Sequence, residues 1–118
     1  MQQVVPALRV RSYEASRIFY SKLGFVEKWK PSLPVFASIA RDEMELFLTE
    51  HAGDCKFGGL VHFYVSDVDL CYTQFGEQGV PISEPPSNSL GPDIRDMLVV
   101  DPDGNRLSFI THSTEATK

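Results

Sequence analysis

The feature that most constrains this chain is a restart of its pattern halfway along. A strand-like run ends at Val10 and another at Val65, and a helix-like segment closes at Gly24 and another at Gly79, both intervals being 55 residues. Identity between the halves is weak, so the order of elements carries the duplication. In the first half, Val4 to Val10 reads as a strand that Pro6 confines to a sheet edge or to an arm reaching another surface, because proline cannot donate to a ladder. Ser12 to Ser16 open a helix with hydroxyl and acidic residues in its first turn. Ala15, Ile18, Phe19 and Leu23 give it an apolar stripe, and Gly24 ends it. Phe25 to Trp29, Val35 to Ala40 and Met44 to Thr49 then read as strands, separated by a loop bounded by Pro31 and Pro34 and by a tight Arg41-Asp42-Glu43 turn.

The second half repeats this order. Leu60 to Val65 reads as a strand, Asp67 to Gln78 as a helix and Pro81 to Pro86 as a short extended stretch. Asn88 to Asp93 is a loop, and Arg95 to Val100 and Arg106 to Thr111 are strands. The turn Asp101-Pro102-Asp103-Gly104-Asn105 supplies the positive-φ position that such a connection needs. The expected fold class is α+β. Two βαβββ repeats (about 3–50 and 60–112) form a curved, half-open mixed sheet with helices on its convex side. A polar linker, about 51–59, holds Gly53, Gly58 and Gly59, and a polar tail runs over 113–118. All of this is one domain, 1–118. One helix per repeat covers only one face of the sheet, so the concave face is left open to a ligand or a partner.

Composition narrows the function classes. With 42% apolar and 23% charged residues the chain is an ordinary globular one. No apolar run approaches a membrane span, and Met1 to Pro6 has no secretory character, so a cytoplasmic protein without membrane partners is expected. Cys55 and Cys71 lack CxxC spacing and read as two reduced thiols. A net charge of −5 with scattered basic residues disfavours nucleic acid and favours a cationic small molecule. No phosphate-binding glycine loop, GxSxG elbow or HExxH pair is present. His51 and His112, at loop and tail ends, read as solvent-exposed, Glu50 as a surface charge, and Phe19 and Phe63 as core.

The opening Leu8-Arg9-Val10-x-Ser12-x-x-x-Ser16-x-x-Phe19-Tyr20-x-x-Leu23-Gly24-Phe25 resembles the first strand and helix of the glyoxalase / bleomycin-resistance / extradiol dioxygenase (vicinal oxygen chelate) superfamily. The closing Val100-Asp101-Pro102-Asp103-Gly104-Asn105-Arg106-Leu107-x-Phe109 is similar to its final hairpin. Enzymes of that superfamily hold a divalent metal on the concave face, and the resemblance carries their ligand positions onto Val5, Glu45, Leu60 and Ser108. Glu45 alone has a ligand's chemistry, so no metal and no cofactor are expected, and no catalytic residue is assigned.

Within the superfamily the chain resembles the bleomycin-resistance proteins, with its short length, Pro6 in the first strand and ligand-poor final hairpin. That resemblance implies an arm-exchanged homodimer. Grooves at its interface would sequester a bleomycin-type glycopeptide without modifying it. The ligand-binding residues expected are Phe36, Ser38, Glu45, Phe47, Leu60, His62 and Ser108, with Trp29 and Phe57 as further aromatic candidates. A ring system needs aromatic faces to stack on, and a cationic tail needs carboxylates. Arg95 would repel such a tail unless Asp93 or Asp96 pairs with it. Two alternatives stand beside this reading. One is a binder of another small aromatic ligand; the other is a lyase or dioxygenase with a reduced metal site around Glu45 and His62.

Overall fold

The structure, a computed structural model, describes residues 1–30 and 35–112. The loop expected between Pro31 and Pro34 and the tail expected over 113–118 lie outside the described residues. The elements run β1 (Ala7–Arg9), α1 (Tyr13–Lys22), β2 (Val26–Trp29), β3 (Phe36–Arg41) and β4 (Met44–Thr49). Then come β5 (Leu60–Tyr64), α2 (Val68–Glu77), β6 (Glu84–Ser87), β7 (Ile94–Val100) and β8 (Arg106–His112). The ladders form two open four-stranded mixed sheets of the same order, β1-β4-β3-β2 and β5-β8-β7-β6. In each, the strand before the helix pairs parallel with the last strand of its repeat, and the other pairings are antiparallel.

The described residues form two compact units: 1–30 and 35–59 with 101–105, and 60–100 with 106–112. The first owes its core to strict alternation. Ala37 and Ile39 of β3, Leu46 and Leu48 of β4, and Leu8 of β1 are all buried, together with Leu23 and Phe25. β1 is only three residues long against the Val4–Val10 expected. Pro6 offers no N–H, although its carbonyl accepts from the Phe47 N–H at 2.9 Å.

Helix α1 begins where Ser12 accepts the Ala15 N–H at 3.3 Å, and the Glu50 carboxylate accepts the Tyr13 N–H at 2.7 Å. Glu50 is therefore a half-buried cap and not the surface charge read from the sequence. The buried stripe is also different: Tyr13, Ser16, Phe19 and Tyr20 face inward, whereas Ala15 is exposed and Ile18 is 52% exposed. The reason is that both tyrosine hydroxyls have carboxylate partners, Glu27 at 2.6 Å for Tyr13 and Asp101 at 2.7 Å for Tyr20. A satisfied hydroxyl lets a large ring be buried in preference to a smaller aliphatic chain. Burial, reinforced by those carboxylates, raises both phenol pKa values.

The turn 101–105 completes this unit. Asp101 is 5% exposed and accepts four donors, the Tyr20 hydroxyl, the Asp103 and Asn105 N–H groups and the Asn105 amide nitrogen, at 2.7 to 2.9 Å. Asn105 in turn donates to the Arg9 carbonyl at 3.0 Å and accepts from the Gly59 N–H at 2.8 Å. A Cβ on Gly59 would lie 2.8 Å from Leu8 Cδ2, so a side chain there would force Leu8 to shift.

In the second unit Asp67 caps α2 through the Leu70 N–H at 3.1 Å. The helix packs its buried Val68, Cys71 and Phe75 on one face of the sheet. Phe109 of β8 lies at the centre, stacked on Phe63 at 4.9 Å and edge-on to Phe75 at 5.1 Å. Phe19 and Phe63 are both buried, as expected. β6 is a short edge strand overlapping the Pro81–Pro86 stretch, and its ladder to β7 is irregular between Glu84 and Ser87.

Candidate functional site

Each sheet has one face covered by its helix and one that is not. On the first sheet the uncovered face is built in rows, because cross-strand partners share a side. Arg9, Thr49 and Phe36 form one row, and Ala7, Phe47, Ser38 and Trp29 the next. The last row is Glu45, Ala40 and Val26. Three aromatic rings meet in the middle. Trp29 stacks on Phe36 at 6.1 Å with planes 16° apart, Trp29 and Phe47 are 5.4 Å apart, and Phe36 and Phe47 5.1 Å apart. Trp29 is 39% exposed and the two phenylalanines are half-buried, so the rings present a partly open apolar floor.

The register of β2 shifts between Glu27 and Trp29. That irregularity brings Lys28 and Trp29 to bear on neighbouring features of this face: Trp29 on the rings, and the Lys28 ammonium on Glu45 at 3.3 Å. Ser38, fully buried, donates its hydroxyl to the other oxygen of Glu45 in a short hydrogen bond. The Glu45 side chain is only 9% exposed, and its charge is matched by Lys28. The Ser38 hydrogen bond holds its pKa below the usual carboxylate value against the opposing effect of desolvation, with Lys28 adding to the lowering. A depressed folded pKa contributes stability above the unfolded pKa and loses it as pH falls through the folded one. Ser38→Ala is therefore expected to raise the Glu45 pKa, as read by carbon-detected NMR titration. Its destabilisation through Glu45 should be present at neutral pH and disappear in acid.

The four positions at which superfamily enzymes hold a metal do not suit one here. Val5 and Leu60 have no donor, Ser108 is a neutral hydroxyl that is 7% exposed, and Glu45 is already engaged by Ser38 and Lys28. Among the described residues no three His, Cys, Asp or Glu side chains gather in a way that could hold a metal ion.

Leu60, His62 and Ser108 belong to the second sheet, where Leu60 pairs with Arg106 and His62 with Ser108. Leu60 is 46% exposed and His62 is exposed. The seven residues proposed from the sequence are thus distributed over both sheets. Phe36, Ser38, Glu45 and Phe47 are brought together on the first, with Ser38 hydrogen-bonded to Glu45.

Other candidates resolve individually. Arg95 pairs bidentately with Asp69 of α2, at 2.8 and 3.0 Å. His51 is exposed and lies beside Asp54. His112 is half-buried and lines a cavity of about 360 Å³ with Tyr64, Val65 and Ser66. Cys55 is half-buried and Cys71 buried, with no disulfide between them. Lys28 and Arg9 escaped the sequence reading. Strict alternation cannot reveal a residue displaced by a bulge, and nothing in a single sequence marks an arginine as lacking a carboxylate partner. No helix among the described residues is long and apolar enough to cross a membrane.

Three solved structures illustrate the likeness of the fold. A bleomycin-binding protein complexed with bleomycin is 22% identical with a TM-score of 0.78, over 95% of this chain and 99% of that one. A bleomycin resistance determinant encoded on transposon Tn5 is 21% identical with a TM-score of 0.80, over 95% and 98%. TnmS3, an antibiotic-binding protein from Streptomyces sp. CB03234, is 23% identical with a TM-score of 0.81, over 96% and 98%. No curated protein matches the sequence significantly. The sequence model of the glyoxalase superfamily matches residues 1–115, and the chain belongs to that superfamily.

Proposed function

We propose that this protein is a non-catalytic binder that sequesters a planar aromatic small molecule, with bleomycin-family glycopeptide antibiotics as the first ligands to test. The observation that carries this reading is the half-exposed cluster of Trp29, Phe36 and Phe47 on an uncovered sheet face. Rings there offer stacking partners to a flat ligand, each contact adding about 0.5–1.5 kcal/mol beyond area burial. The bithiazole of bleomycin is such a flat group. The likeness to a bleomycin-binding protein and to a bleomycin resistance determinant supports the choice. Protection would follow from equilibrium binding alone, with no bond made or broken in the drug.

The reading includes a homodimer. Leu60 and Tyr64 of the edge strand β5 are 46% and 69% exposed, and Val4 in the segment before β1 is 90% exposed. Apolar groups of this size on an edge strand and an arm are what a second copy would cover. Sedimentation at micromolar concentration tests this directly; a monomer would remove an interface groove from the proposal.

The binding test is calorimetric titration of metal-analysed protein with copper-bound and metal-free bleomycin. Saturation at one drug per chain is expected, with Phe36→Ala weakening it by roughly ten-fold, the loss of about 1.4 kcal/mol of stacking. No heat at high micromolar drug would sink the glycopeptide assignment. Stoichiometric nickel, zinc, manganese or iron in the purified protein would move the reading to a superfamily lyase or dioxygenase.

A further inference from the structure

Arg9 stands at the end of the row that contains Phe36, and its charge is handled unlike that of its neighbours. Arg11, Arg17, Arg41 and Arg95 each lie within ion-pair distance of a carboxylate, Asp103, Glu14, Asp42 and Asp69 respectively. Arg9 is half-buried and has no carboxylate partner among the described residues. Its Nε is enclosed without any acceptor. The Phe57 ring lies over the guanidinium, 4.5 Å from Cζ, and the Arg11 guanidinium is the same distance from that ring. Stacking on a ring leaves the in-plane N–H groups of the two terminal nitrogens, as distinct from the enclosed Nε, free to meet an acceptor.

The opposite end of the floor is electrically closed, since Glu45 is matched by Lys28 and hydrogen-bonded to Ser38. The uncompensated charge on this face is therefore positive, although the chain as a whole carries −5. Arg9 and Phe36 are two strands apart in one register row, a span of about 9.5 Å. A bicyclic ring bearing a carboxylate, met by the reach of an arginine, covers such a span.

We infer that the ligand of this face is an anionic planar aromatic, its ring on Trp29, Phe36 and Phe47 and its carboxylate on the Arg9 guanidinium. The inference rests on the aromatic-floor reading and narrows it. Guanidinium and carboxylate match as planar, bidentate partners, so a carboxylate uses the fork better than a neutral hydroxyl does.

Three isosteric probes separate the possibilities: 2-naphthoate, 2-naphthalenemethanol and 2-naphthylmethylammonium. Each is titrated calorimetrically, with the indole N–H signal of Trp29, the chain's single tryptophan, reporting occupancy of the floor. Naphthoate is expected to bind at least ten-fold more tightly than the alcohol, and the ammonium most weakly. Arg9→Met, which keeps the apolar stem, should abolish the preference by weakening naphthoate far more than the alcohol, and Arg9→Lys should retain part of it. Equal affinities for all three probes, or a preference that survives in Arg9→Met, would overturn the anion assignment and leave the aromatic floor standing. A preference for the ammonium probe would also overturn it, and would favour drugs with cationic tails. If no probe moves the Trp29 signal, the floor itself does not bind aromatics and both readings fall.

Discussion

Replacing Asp101 with alanine is expected to destabilise the protein by at least ~3 kcal/mol in urea unfolding at neutral pH, where hydrogen bonds to a charged group are worth about 1.5–3 kcal/mol each. The carboxylate is 5% exposed and satisfies the Tyr20 hydroxyl, two backbone N–H groups of its own turn and the Asn105 side chain. Its removal strands the Tyr20 hydroxyl and the two Asn105 donors away from water, and the loss of the turn geometry also withdraws Asn105 from the Arg9 carbonyl and the Gly59 N–H. Tyr20→Phe removes only one of these bonds and should cost about 1 kcal/mol. In the Tyr20→Phe background Asp101→Ala should cost less than in the wild type, because part of its penalty is already spent. Strict additivity of the two would show that Tyr20 and Asp101 do not act as a unit.

Phe109→Ala is expected to cost about 3–5 kcal/mol, the range for emptying a large aromatic site in a packed core. Phe109 is 2% exposed and touches ring faces or edges on both sides, Phe63 from β5 and Phe75 from α2. Alanine there would leave a cavity between strand and helix that neither neighbour can fill without leaving its own rotamer. Phe109→Leu retains more of the volume and should lie clearly closer to the wild type. Urea unfolding followed by both far-ultraviolet circular dichroism and Trp29 fluorescence gives the free energies, provided the two curves coincide. A Phe109→Ala protein within 1 kcal/mol of wild type would mean that the ring contacts contribute far less than their burial implies.

How much of this was legible beforehand depends on which physical signal each element carries. The repeat was visible because Gly24 and Gly79 both take positive φ at the ends of their helices, a demand that composition records directly. Strand β4 was visible because Glu45 and Phe47 alternate with Leu46 and Leu48, which is what one covered face writes into a sequence. Helix α1 was misread in detail for a complementary reason. Ile18 looks like core and Tyr13 does not, until the hydroxyl's partner Glu27 is known, and that partner lies on a different element. Glu50 followed the same rule, since a cap contributed from just beyond β4, distant in sequence, has no local signature. Of the candidate site, Phe36 and Phe47 were legible from alternation. Trp29 was flagged as an aromatic but could not be placed, because the bulge that aims it interrupts the two-residue period. Arg9 was invisible altogether, since its distinction is the absence of a carboxylate partner among the described residues.

The turn at 101–105 also fixes how this chain can be divided. It is translated with the second half but bonded into the first, where it serves the hydroxyl of α1, the carbonyl that ends β1 and the last residue of the linker. A piece that stopped at the linker would retain its helix and four strands yet lack the residues that satisfy them. The first half is therefore not self-sufficient: the turn that completes it comes from the second. Cutting the backbone within 51–59 is compatible with the fold only if both pieces are kept, since the first needs an insert that only the second can deliver.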